Sequence, residues 1–171
     1  MKRMIAALLF IFAVLLSLAS CFPSPLPEEM PENFSFSIKF GTFGYSSYDS
    51  ESGILVKDRV ATNPEDYTTT YIMSEEDLSK VYELICGLNI TGLPDEIPDS
   101  EILGADPYLT LSLTVCAGDT RKTVTANQVG GYDSGITPRA KKYLEVSRAI
   151  VKIIQASEEW KALPDYEFLY D

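Results

Sequence analysis

The chain has 171 residues, 46% hydrophobic and 23% charged, which suits one globular domain with a real core. Its 14 basic and 25 acidic residues give a formal charge of −11 and argue against nucleic acid, whose phosphates need Lys and Arg to displace their counterions. There is no histidine, so Ser-His-Asp, Cys-His and HExxH chemistry are all excluded.

Met1 to Arg3 form a short positive start. Met4 to Ala19 is then almost wholly apolar, a run slightly short for a membrane span and suited to the core of a signal peptide. It ends in Leu18-Ala19-Ser20-Cys21. This tetrapeptide, an aliphatic residue and two small residues before a cysteine, resembles the lipobox of bacterial lipoproteins. The resemblance implies that Cys21 takes a diacylglycerol group and that cleavage before it removes residues 1–20. Losing Lys2 and Arg3 moves the charge from −11 to −13. Two acyl chains anchor stably where one binds marginally. The expected location is therefore outside the cytoplasm, on the cell membrane or outer membrane. Phe22, rather than Asp, follows the cysteine, so the inner-membrane retention signal of some Gram-negative lipoproteins is absent.

Residues 21–33 carry the lipidated Cys21 and then FPSPLPEEMPEN, whose four prolines and three glutamates favour extended, solvated chain. At roughly 3 Å per residue such a tether could lift the domain roughly 30 Å from the lipid. Residues 34–171 are read as a single domain. Phe34, Phe36, Ile38 and Phe40 alternate with Ser35, Ser37 and Lys39, the pattern of a strand with one buried face. Asp49 to Gly53 is turn chemistry, Ile54 to Asp58 a return strand and Tyr67 to Met73 a third strand. Ser74 can cap a helix whose first turn holds Glu75, Glu76 and Asp77, with Leu78, Val81, Tyr82 and Ile85 on one face.

Leu93 to Asp106, with two prolines and many acids, reads as a loop. Leu109 to Val115 alternates again, Gly118-Asp119 signals a hairpin, and Arg121 to Asn127 returns. Thr137-Pro138 opens a last helix of some twenty residues. The order βββαββα predicts an α+β fold of two layers: an antiparallel sheet of about five strands covered by two helices.

No catalytic constellation, cofactor motif or metal set emerges. There is no SxxK dyad and no GxxxxGK[ST] loop, and Gly131 to Gly135 misplaces the serine of a GxSxG elbow. Asp49-Ser50-Glu51-Ser52-Gly53 faintly resembles a calcium loop, but its glycine is one place early and Val60 stands where the twelfth-position Glu belongs. Paired carboxylates for glycoside chemistry stay open, because pairing is spatial. Cys86 and Cys116 leave two readings, a disulfide or two separate small packed residues. Phe43, Tyr45 and Tyr48, set among glycine and serines, have the composition of a contact loop, or of an edge strand packed on the core.

Past the tether the chain resembles a loose group of uncharacterised lipoproteins, mainly from Gram-positive bacteria. The residues that carry the resemblance are Phe34 to Phe40, Lys57-Asp58, Ser74 to Glu76 with Val81-Tyr82, and Trp160-Lys161-Ala162-Leu163-Pro164. It implies element order and location and no catalytic residues. The resulting expectation is a membrane-anchored, non-catalytic binding module of the cell envelope. Its partners would be the membrane, through lipid on Cys21, and an envelope protein, peptide or glycan. An envelope hydrolase with paired carboxylates is the alternative.

Overall fold

A computed structural model describes residues 25–98, 101, 107–130 and 136–167. Residues 1–20, read above as a signal peptide, and Cys21 lie outside the described residues. The elements are β1 (Ser35–Phe40), β2 (Ser46–Asp49), β3 (Ile54–Val56), β4 (Thr68–Thr70), α1 (Glu75–Leu88), β5 (Glu96–Ile97), β6 (Leu109–Ala117), β7 (Thr120–Val129), α2 (Pro138–Ala156) and α3 (Glu158–Ala162). The strands form one sheet in the order β4-β3-β2-β1-β6-β7-β5. Every pairing is antiparallel except that of β5 with β7.

The fold is α+β; the described residues hold seven strands where the sequence pattern predicted about five, and three α-helices where it predicted two. The two additional strands have physical reasons for escaping notice. β2 lies in a segment whose glycines and serines left a contact loop and a packed edge strand both open; Ser46 and Tyr48 alternate inward while Ser47 and Asp49 do not. β5 has only two residues, between Pro94 and Pro98, and two residues display no period. The third helix, α3, is a single turn and a half after Ser157, whose hydroxyl accepts from Trp160 N at 3.1 Å.

Core formation follows the alternation. Phe36, Ile38 and Phe40 of β1 point to the same side as Leu111, Leu113 and Val115 of β6 and Val124 and Ala126 of β7. Both long helices cover that side, α1 through Val81, Tyr82, Ile85 and Leu88, and α2 through Tyr143, Leu144, Ile150 and Ile154. Each large aliphatic or aromatic side chain buried this way contributes about 1.5–3 kcal/mol. Ser74 caps α1 by accepting from Asp77 N at 3.1 Å, and Asn89 ends it in the left-handed region at φ 53°. Thr137 caps α2 and donates to Glu101, whose carboxyl the Arg139 guanidinium holds below the usual range. Tyr143 pins α2 to the sheet, its hydroxyl 2.6 Å from Val124 O and 3.0 Å from Leu111 O.

Residues 25–33, read as a spacer, are in contact with the domain. Leu26 packs against the core, and Tyr82 donates its hydroxyl to Pro27 O at 2.7 Å. Asn33 exchanges two hydrogen bonds of 3.0 Å with the backbone of Gly118.

Candidate functional site: the open face of the sheet

Alternation that sends aliphatic side chains to the helices sends small polar ones the other way. Strand register links them across the sheet. One row runs Thr68, Val56, Ser47, Lys39, Ser112, Thr125, Glu96. A second runs Thr70, Ile54, then Asp49, Ser37, Thr114, Thr123. β-Branched threonine suits a half-exposed strand position, and its hydroxyl can pair across strands. Ser112 and Thr125 do so at 2.8 Å, and Thr114 and Thr123 at 2.9 Å. Thr110 donates to Asn127 at 3.4 Å. Among the described residues no helix packs on this face.

Aromatic side chains border the rows. Between β1 and β2 the chain turns tightly, with Gly44 N donating to Gly41 O and Tyr45 N to Thr42 O, both at 3.0 Å. Gly44 has φ 68°, and a side chain there would stand 3.3 Å from Thr110. Phe43 adopts φ 50°, a conformation costing an L-residue roughly 1–2 kcal/mol. Its ring meets Tyr108 edge-on at 4.6 Å and Tyr45 at 5.4 Å, and Arg59 lies 5.6 Å from the Tyr45 ring. Phe43 and Tyr45, half-buried, thus belong to this margin. Tyr48 does not: it is 1% exposed and donates to Tyr71 O at 3.2 Å. Its placement in a contact surface is corrected, because β2 starts its inward alternation at Ser46. Burial pushes the Tyr48 hydroxyl up to about 12.

Cys86 and Cys116 are free. Cys86 sits on α1 with its thiol 3.9 Å from Pro27 O, while Cys116 is on the open face, accepting from Arg121 at 3.3 Å. The sheet separates them, so the disulfide left open by the sequence is not formed.

A polar cluster that sequence reasoning missed lies at the end of β3. Lys57 is 7% exposed. Its ammonium donates to Leu163 O at 3.3 Å, sits 3.8 Å from Asp165, and lies over the rings of Trp160 (5.4 Å) and Tyr166 (5.7 Å). Ser46 donates to Lys57 O at 2.6 Å and contacts the Tyr166 hydroxyl at 2.9 Å. Asp58 accepts from Val60 N and Glu167 N, and Glu167 accepts from Thr62 N and Oγ1. Lys57-Asp58 and Trp160 to Pro164, two of the segments that carry the lipoprotein resemblance, therefore meet in space. Their joint role is to clasp the C-terminal segment against the sheet.

Among the described residues no group of three or more His, Cys, Asp and Glu could hold a metal, and no helix is long and apolar enough to cross a membrane. The Asp49 turn engages one carboxylate oxygen with Glu51 N, Ser52 N and the Ser52 hydroxyl. Comparison with protein-family models and with curated proteins finds no match to this chain.

Proposed function

We propose that this protein is a lipid-anchored binding module of the cell envelope that uses the open face of its sheet to hold an extended polar ligand, with glycan the best chemical fit. The observation that carries the reading is the segregation of the two sheet faces. One is apolar and helix-covered. The other presents ordered rows of Ser and Thr hydroxyls, Lys39 and Arg121, bordered by Phe43, Tyr45 and Tyr108. Hydroxyls that both donate and accept suit sugar hydroxyls and acetamido groups, and aromatic rings suit the C–H faces of sugars. Anchoring through Cys21 is supported by the lipobox resemblance.

The hydrolase alternative finds its nearest counterpart in Asp58, Asp66, Asp165 and Glu167, the acids whose charges act on Tyr67. Asp58 and Glu167 are engaged in holding the C-terminal segment, which favours the binding reading.

Co-sedimentation of the full-length protein with purified cell-wall glycan, at several salt concentrations, tests the ligand. Retention should persist in salt and fall to background in Thr114→Arg and Thr123→Arg, while Lys141→Glu on α2 should leave it unchanged. Salt-sensitive retention, or retention indifferent to Thr114→Arg, counts against this surface. Metabolic labelling with palmitate tests the anchor, and Cys21→Ser should abolish the label.

A further inference from the structure

We infer that the helical face of the domain lies against the bilayer that holds the lipid on Cys21, with Lys142 and Lys152 reaching anionic phospholipid headgroups from the groove between α1 and α2. This rests on the lipid-anchor reading and adds an orientation to it.

The first observation is where the chain leaves the domain. Residues 26–33 are strapped to it by the Leu26 contact, the Tyr82 bonds to Pro27 O (2.7 Å) and Glu29 O (3.4 Å), and the Asn33–Gly118 pair. Tyr82 and Cys86, which both reach Pro27 O, are on α1. Five chain steps then separate Leu26 from Cys21, at most about 18 Å whatever path they take. A helix with its side chains is already about 10 Å across. The lipid therefore cannot be far from α1, and a spacer of roughly 30 Å is not attainable.

The second observation is charge. In a chain of 14 basic and 25 acidic residues, α2 carries Arg139, Lys141, Lys142, Arg148 and Lys152 against one acid, Glu145. Its outer side forms, with α1, an open groove of about 610 Å³ whose apolar floor includes Leu84, Val146 and Ile153. Lys80 and Glu83 from α1 share the rim, and Lys80 is paired with Glu76 (2.8 Å) and Asp77 (3.1 Å). On the α2 side Lys142 and Lys152 supply the attraction, opposed on the α1 side by Glu83. Charges more than about 8 Å away are largely screened at physiological salt, so contact is made on the α2 side of the groove and not at the acidic first turn of α1, with Glu75, Glu76 and Asp77. Aliphatic lysine stems can lie on the groove floor while their ammonium groups meet phosphate. This orientation turns the open sheet face away from the bilayer.

The test uses full-length, lipidated protein in vesicles of phosphatidylcholine and phosphatidylglycerol, with Cys86→Ala and Cys116→Ala in the background. A donor fluorophore is attached through Lys141→Cys on α2 or Thr114→Cys on the open face, and an acceptor lipid is placed in the bilayer. The Lys141 position removes one positive charge and so biases against the expected result. Quenching at 141 should exceed that at 114 by at least about twofold, since the positions stand on opposite layers roughly 20 Å apart. Lys142→Glu with Lys152→Glu should shrink the difference, as should vesicles of phosphatidylcholine alone. Equal quenching, or stronger quenching at 114, overturns the orientation while flotation with the vesicles still supports the anchor. Failure to float, matched by Cys21→Ser, overturns both.

Discussion

Tyr48, Tyr82 and Tyr143 keep their hydroxyls inside the protein, and burial gives that arrangement a sign in pH. Desolvation disfavours each phenolate, pushing Tyr48 and Tyr82 up to about 12 and Tyr143 higher. The folded state thus holds these protons when the unfolded chain, near 10, has released them. Stability contributed by Tyr48 is fully present below pH 10 and is lost as pH rises from 10 towards 12. Thermal melts across that range should show a falling Tm, and Tyr48→Phe should flatten the fall while removing one step from the ultraviolet phenolate titration. Ser147 offers a test of opposite character. It is fully buried, and its hydroxyl, close enough to Tyr143 to act on it, makes no hydrogen bond of ordinary geometry among the described residues. An unsatisfied buried hydroxyl costs about 1–3 kcal/mol, so Ser147→Ala should leave stability unchanged or raise it by about 1 kcal/mol in urea denaturation. Ser147 was not legible in the sequence, and Tyr48 only as one of two readings. Its segment fitted a contact loop or a strand packed on the core, and its pairing opposite Ile38 and Leu55 decides for the core. Ser147 lies on an otherwise apolar helix face, and the sequence does not show whether a partner waits there.

Long strands announced themselves, and short ones did not. β1, β6 and β7 each give enough alternating positions to define a buried face, whereas β5 has two residues and β2 four. The open-face rows were legible only as the polar half of each strand. Their assembly into a surface depends on pairings such as Ser37 with Thr114, which no local pattern encodes. The same holds for the clasp on the C-terminal segment, whose Lys57–Leu163 contact spans 106 positions. A nearly buried ammonium needs its partners, and the segment is held by this cluster together with the packing of Leu163 and Tyr166 on the core. Lys57→Ala should cost about 1–3 kcal/mol and expose residues 163–167 to limited proteolysis well below the global unfolding transition. Lys57→Met, which keeps the packing on Trp160 and Tyr166, should recover much of the stability and little of the protease resistance. Equal protection in wild type and Lys57→Ala would remove the clasp as an explanation.

For the molecule as a whole, the order of predicted elements correctly pointed to an α+β fold, but net charge concealed how charge is distributed. An average of −11 contains a helix with five basic residues and one acid. The centre of the sheet has a further consequence, for the route by which the protein folds. β1 has a local partner, β2, on one side and on the other β6, which pairs Ser35 with Cys116. Closing so long a loop is slow compared with forming a hairpin. The meander β1–β4 can form early, but β1 must then wait as a bare edge, with Phe36, Ile38 and Phe40 uncovered, until β6 and the helices arrive. Refolding should therefore show a hairpin-rich intermediate that aggregates as protein concentration rises. Thr114→Pro, which removes a hydrogen-bonding amide from β6, should prolong that intermediate and not merely destabilise the final state.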